Sequence, residues 1–309
     1  MIGPMTLRFE GKTMSLRSLR AVAAAAVIGL GALAGAGGAL AAGGEGAQEG
    51  GAHHTPQPPM QKWTFWGPFG KFDPAQLQRG FKIYKEVCSS CHSLSLVSFR
   101  NLMEPGGLGF NEGQARAIAN EYEVQDGPND QGEMFTRKAR LSDAFPKAFP
   151  NEQAARAANG GAYPPDFSLL AKARTYERGF PWFLWDIFAQ YQEQGPDYIH
   201  ALLVGYEEPP AGATPAAANL HYNKYFPNHW IAMAKPIQDG QVEYTDGTPT
   251  TVDQYGKDVA AFMMWAAEPH LAARKATGFV VLIWLLVFGS LVYLVKKRIW
   301  AGAKPKPIA

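Results

Sequence analysis

The sequence is almost without cysteine: its 309 residues hold only two, Cys88 and Cys91. That scarcity excludes a disulfide-built scaffold and any zinc site made from two cysteine pairs. A basic surplus is missing as well. Net charge is +2, yet from Gly43 to Lys275 the chain carries 20 Lys and Arg against 26 Asp and Glu. A body with that acidic balance has no basic face from which to release counterions, which excludes nucleic acid and suits a basic protein partner. Strand signals are scarce too. "EPGGLGFNEG", "DGPNDQG", "NGGAYPPD" and "EEPPAGATP" are turn and loop chemistry. A short hairpin is expected only at "GQVEYTDGTPTTV", where Asp246-Gly247 follows alternating apolar residues.

The positive charge sits at the two ends. Arg17 and Arg20 precede "AVAAAAVIGLGALAGAGGALA", an apolar run of small residues ending in Ala39-Leu40-Ala41. This reads as a secretory signal peptide over residues 1–41, with a short uncleaved anchor as the alternative; Met14 gives a more ordinary signal length than Met1. Export places the chain in an oxidising compartment, where a lone cysteine pair ordinarily becomes a disulfide. Near the other end, "TGFVVLIWLLVFGSLVYLV" (Thr277 to Val295) carries no charge. As a helix it is about 28 Å long, enough to cross the hydrocarbon core. Arg274 and Lys275 precede it; Lys296, Lys297, Arg298, Lys304 and Lys306 follow. The positive-inside rule puts the tail in the cytoplasm and the body outside, the orientation a signal peptide also demands. Residues 271–309 are therefore read as a membrane anchor with a basic cytoplasmic tail.

Residues 42–62 are rich in Gly, Pro and Gln and read as a flexible leader, in which His53 and His54 are solvated filler. The folded body is expected over 63–270, framed by two helices. The first starts at Asp73-Pro74, an N-cap with proline at the first helical position, and Leu77, Phe81, Tyr84 and Cys88 recur at helical spacing. Gly80 on that helix lets another element approach closely. The second starts at Thr251 with Gln254 three residues on. Its apolar stripe is Val252, Tyr255, Val259, Phe262, Met263 and Ala266, and Pro269 closes it. A body of edge helices and long loops needs something to pack around, and a large apolar cofactor supplies it.

The two cysteines lie in "EVCSSCHSL", a C-x-x-C-H motif ending at His92. This is the attachment pattern of c-type heme. Two thiols at this spacing can each add to a porphyrin vinyl group, and the next residue's imidazole then lies under the iron. Three other readings compete. Zinc lacks a second cysteine pair, a thioredoxin-like pair lacks its βαβ context, and a disulfide across two residues leaves His92 unexplained. The sixth iron position suits a methionine thioether, which favours ferrous iron. Met103 would have to turn back sharply, Met134 lies in a charged segment, and Met263 and Met264 sit on a core helix. Met233, in "NHWIAMAKPI" with Pro236 behind it, is the preferred choice, with His200, His221 and His229 as bis-histidine alternatives.

These residues resemble the cytochrome c1 family, the heme subunits of quinol–cytochrome c reductase, of bacterial type. The resemblance runs in order through "FDPAQLQRGFKIYKEVCSSCHSL", "VQDGPNDQGEMFTRKARLSDAFP", "AARAANGGAYPPDFSLL", "GYEEPP" and "YTDGTPTTVDQYGKDVAAFMMWAAEPH". It implies a mainly α fold: a c-type cytochrome domain with long loops around one covalent heme c, plus one C-terminal transmembrane helix. It implies thioethers at Cys88 and Cys91 and axial ligation by His92 and Met233. It also implies heme contacts from the Pro164-Pro165 loop and from Arg174, which falls where the family has an arginine near a heme propionate. The implied partners are cytochrome b, the Rieske iron–sulfur protein and a soluble or anchored cytochrome c. The implied location is the bacterial inner membrane, with the heme domain in the periplasm. The segment "TYERGFPWFLWDIFAQYQEQGPDYIHALLV" departs by its length, and without spare cysteines its rigidity is expected from packing of Trp182, Phe183, Trp185 and Phe188. The acidic run Glu112, Glu121, Glu123, Asp126, Asp130 and Glu133 is a docking candidate for a basic cytochrome. A membrane-anchored cytochrome c serving a terminal oxidase and a heme-free tethered module are the competing functions.

Overall fold

The computed structural model describes residues 55–174, 180–189 and 194–302. The proposed signal peptide and most of the leader lie outside the described residues. Helices are α1 (Pro74–Glu86), α2 (Glu112–Asn120), α3 (Glu152–Ala158), α4 (Leu170–Ala173), α5 (Trp182–Ala189), α6 (Gln194–Val204), α7 (Val252–Ala267) and α8 (Leu271–Ala301). Two small antiparallel pairs, β1 (Glu123–Asp126) with β2 (Phe135–Lys138) and β3 (His221–Tyr222) with β4 (Trp230–Ile231), join these helices, with short 3-10 turns at Cys88–Ser90, Phe99–Met103 and Pro227–His229. The fold is mainly α with long loops, as expected.

The two framing helices form where the caps predict. Asp73 accepts from the Ala75 amide at 3.1 Å with Pro74 at the first position, and the Thr251 hydroxyl accepts from the Gln254 amide at 3.3 Å. α1 and α7 pack directly on each other. The close approach expected at Gly80 is real: a Cβ there would stand 2.1 Å from the Asp258 carbonyl oxygen and 2.7 Å from the Phe262 Cβ. α7 is buried beyond its predicted stripe, with Ala260, Ala261, Met264 and Trp265 also inside. It also buries a charge. Asp258 accepts from Arg79 (2.9 and 3.2 Å), the Tyr244 hydroxyl (2.9 Å) and Gln254 (2.9 Å). Such a fully satisfied carboxylate clamps α1, α7 and the loop before α7 together; removing one partner of a buried pair costs about 3–5 kcal/mol.

Three expectations need correction. The hairpin over 240–252 does not form. The Val242 amide donates to the Tyr255 hydroxyl, which donates in turn to the Val242 carbonyl, so α7 takes both groups a strand ladder needs. A hairpin forms instead at β1–β2, around the turn chemistry of "DGPNDQG". The leader is fixed at its end: Pro58 is buried, and the Gln61 amide and Trp63 indole both donate to the buried Asp197 carboxylate of α6, at 2.9 and 2.8 Å. Finally, Trp182 and Trp185 are 53 and 63% exposed, so neither is the buried core side chain expected of the long segment. The side chains of Phe183 and Phe188 lie outside the described residues.

α8 starts at Leu271, one residue past the expected boundary of the body, and runs 31 residues. Its apolar side chains are exposed on every side from Phe279 onward. It is the one helix among the described residues long and apolar enough to cross a membrane. Glu268, at the joint between α7 and α8, is paired with Lys172 of α4 and Arg274 of α8, bracing the body against the base of that helix.

Candidate functional site

The C-x-x-C-H motif follows directly on α1. Cys88–Ser90 form a single 3-10 turn in which the Cys91 and His92 amides both donate to the Cys88 carbonyl, at 3.1 and 2.9 Å. This turn fixes the spacing of the two thiols. Both are free and half-buried. Burial, and then the neighbouring Cys91, push the Cys88 thiol up to about 12. A thiol so far from ionising is not an activated redox nucleophile. Among the described residues no three His, Cys, Asp or Glu side chains are grouped to hold a metal.

His92 is held from three directions. Its Nδ1 lies 2.8 Å from the Pro165 carbonyl, and since a carbonyl only accepts, Nδ1 carries the proton. Nε2 then keeps the lone pair a metal needs. The ring stacks on Phe167, centroids 4.3 Å apart at 27°, and the Tyr84 hydroxyl donates to the His92 carbonyl at 3.1 Å. Burial pulls the imidazole below its ordinary pKa, against the hydrogen bond to Pro165, so the ring is neutral at pH 7.

The loop bearing Pro165 is tied to the loop after the motif. Asp166 accepts from the Ser95 amide and hydroxyl at 3.0 and 2.6 Å, Ser168 Oγ accepts from the Leu96 amide at 3.0 Å, and the Phe167 amide donates to the Ser93 carbonyl at 2.8 Å. Burial opposes ionisation of Asp166, but the hydrogen bonds from Ser168 and Ser95 keep its carboxyl below the usual range.

Met233 is half-buried in the loop after β4, and its carbonyl accepts from the Tyr206 hydroxyl at 2.9 Å. Two cavities flank the motif. One of about 230 Å³ is lined by Cys91, Ser95, Lys147, Tyr163, Pro164 and Asp166. The other is small and apolar, between Cys88, Val87, Leu203, Pro236 and Ile237. The motif thus faces the Pro164-Pro165 loop on one side and the loop carrying Met233 on the other. Arg174 stands apart from these contacts, exposed at the end of α4, where its charge acts on the Tyr198 phenol.

The other candidate ligands lie in the core, in hydrogen bonds or at the surface. Met263 and Met264 are 2 and 1% exposed in the core, and Met134 is 56% exposed. Buried His200 is bonded to Asp253 at 2.9 Å, and His229 Nδ1 to the Lys224 carbonyl at 3.0 Å; His221 is exposed. Sequence reasoning missed Tyr84, Phe167 and Tyr206 as supports. Tyr84 was legible as a core position, and the other two lie inside the quoted motifs without a signal for their role.

Free thiols in a fixed turn, a neutral imidazole with Nε2 available and loops on both sides fit a heme c. The comparisons agree with that chemistry. The chain is 59% identical over 248 residues (80% of this chain, 36% of the relative) to "Cytochrome b/c1" of Bradyrhizobium diazoefficiens, so it spans about a third of that relative's length. It is 49% identical over 248 residues to cytochrome c1 of Blastochloris viridis (80% of this chain, 88% of the relative). It is 48% identical over 228 residues to "Cytochrome c1-2, heme protein, mitochondrial" of Solanum tuberosum (74% of this chain, 79% of the relative). The model of the Cytochrome C1 family matches residues 63–303, covering every residue of the site just described, and the chain belongs to that family.

Proposed function

We propose that this chain is the electron-transfer subunit of a quinol–cytochrome c reductase, taking one electron from a Rieske iron–sulfur protein and passing it to a mobile cytochrome c. The observation that carries the reading is the His92 ring: its Nδ1 proton is fixed on the Pro165 carbonyl, so the nitrogen directly after two free thiols is ready to bind iron. The cofactor is one covalent heme c, whose iron supplies a one-electron couple when bound. No substrate bond is made or broken on this chain. Its residues position and insulate. Cys88 and Cys91 would carry the thioethers, His92 and Met233 would bind the iron, Pro165 holds the His92 ring, and the exposed Arg174 would pair with a propionate.

The chain is anchored in the membrane by α8, the one spanning helix among the described residues. In the proposed arrangement residues 1–41 are removed as a signal peptide, the heme domain lies in the periplasm of a bacterial inner membrane, and the basic tail is cytoplasmic. Cytochrome b is the membrane partner beside α8; one relative's name joins the b and c1 parts in a single protein.

The acceptor is a basic cytochrome c. The acidic run is less free than the sequence suggests: Glu112 pairs with Arg116, Glu121 with Lys85, Glu123 with Lys138 and Asp126 with Arg137. Among the described residues of the run, Asp130 and Glu133 form no ion pair. Attraction therefore comes from the summed negative charge of the body, and electron transfer to the carrier should slow as salt rises.

The deciding experiment is purification of the tagged full chain from detergent-solubilised membranes. Co-isolation with a cytochrome b and a Rieske protein supports the proposal. Co-isolation with a terminal oxidase and neither of those overturns it.

A further inference from the structure

The loop before α1 carries features that heme binding does not use. From Trp63 to Phe65 the side chains alternate, Trp63 and Phe65 buried and Thr64 exposed. The chain then turns at Gly67 (φ +75°), and the Lys71 amide closes the loop by donating to the Thr64 carbonyl at 3.0 Å. Gly70 makes this closure possible, because a Cβ there would stand 2.2 Å from the Trp66 carbonyl oxygen. The result is a tightly folded tip, Trp66-Gly67-Pro68-Phe69, with Trp66 42% and Phe69 69% exposed.

That tip is stapled to the membrane helix. Lys275 Nζ donates to the Phe65 carbonyl at 2.7 Å and to the Gly67 carbonyl at 2.6 Å. One turn further along the same face of α8, Phe279 meets Phe69 edge to face, ring centroids 5.3 Å apart. Phe279 is the third residue of the uncharged run 277–295. Whatever depth Phe279 takes in the bilayer, the Phe69 ring must share. Exposed Lys62 and Lys71 flank the loop, and Arg274, paired with Glu268, lies at the helix base. An outward Trp and Phe ringed by cationic side chains is the composition that settles at a membrane–water interface.

We propose that Trp66 and Phe69 form a second membrane contact, inserting from the body into the lipid interface beside α8 and fixing the tilt of the heme domain over the membrane. Lipid is favoured over a protein occupant because the tip continues the lipid-facing surface of the spanning helix and carries cations suited to headgroups. The inference requires that α8 spans the bilayer, and the test separates the two claims.

Spin labels placed by Phe69→Cys and Trp66→Cys in the heme-loaded complex, reconstituted in lipid nanodiscs, report collisions with oxygen and with a water-soluble nickel chelate. The expected result at both positions is an oxygen-to-nickel ratio several-fold above that of a Glu152→Cys label in water and approaching that of a Trp284→Cys label in the span. Nickel access equal to the Glu152 label overturns the proposal, and so does low access to both reagents, which would mean burial against another subunit. If the Trp284 label also reads as water-exposed, the span itself is wrong and the second membrane contact falls with it.

Discussion

His92 Nδ1 and the Pro165 carbonyl, 2.8 Å apart, join two loops 73 residues apart in sequence into one unit. The bond decides which imidazole nitrogen holds the proton, and the Phe167 ring beneath decides the plane in which the other nitrogen points. Orientation of the His92 ring is thus a property of the Pro164–Ser168 loop rather than of the motif.

Truncating that support has a double readout. Phe167 is 8% exposed, so Phe167→Ala should destabilise the folded domain by about 3–5 kcal/mol, seen as a lower urea midpoint. If the ring also orients His92, the heme potential and the low-spin EPR g-values shift as well. An unchanged spectrum with lost stability would reduce Phe167 to ordinary packing.

Met233→Leu should keep the heme attached through both thioethers, because neither thiol is touched. It should abolish the thioether–iron charge-transfer band and lower the potential by a sizeable share of the roughly 0.8 V over which axial ligands tune heme. An unchanged potential would mean another residue holds the sixth position.

Tyr206→Phe tests the loop rather than the ligand. It removes one hydrogen bond to the Met233 carbonyl, worth about 0.5–1.5 kcal/mol. The methionine should then dissociate about fivefold more readily, since 1.4 kcal/mol is about tenfold in an equilibrium constant. The charge-transfer band would vanish at lower pH or lower denaturant than in the parent. Were both titrations to overlay the parent, the hydroxyl would have no part in holding the loop.

How much of this was legible varies with the range of the interaction. α1 and α7 were readable because caps and spacing are local signals, and Gly80 was readable because glycine inside a helix needs a reason. Motif and span were legible for the same cause. The failed hairpin shows the opposite case: "VEYTDG" has good local chemistry, but Tyr255 and Asp258, on a helix that begins only beyond it, take the Val242 backbone and the Tyr244 hydroxyl. Nothing local marks Tyr206 or Phe167 either, because their partners lie 27 and 75 residues away.

Gly80→Ala probes the helix contact directly. The new Cβ meets backbone, the Asp258 carbonyl at 2.1 Å, which no rotamer change relieves. Overpacking of this kind costs about 1–3 kcal/mol or more, well above the gain in helix propensity. A lower thermal midpoint is expected; a midpoint equal to the parent's would mean that α1 and α7 separate more easily than the contact implies.

His200 gives the fold a pH dependence away from the heme. Burial pulls its imidazole below the ordinary value, only partly offset by the Asp253 carboxylate that faces it and opposed further by Lys257. With the folded pKa depressed below the unfolded value of about 6.5, the unfolded chain binds the proton more readily. This contribution to stability is therefore complete above that unfolded value and is lost as pH falls toward the folded pKa. Stability measured from pH 7.5 to 5 should decline in the parent and decline less in His200→Gln, which has no proton to gain. Parallel profiles for the two proteins would show that His200 charges as easily inside the fold as outside it.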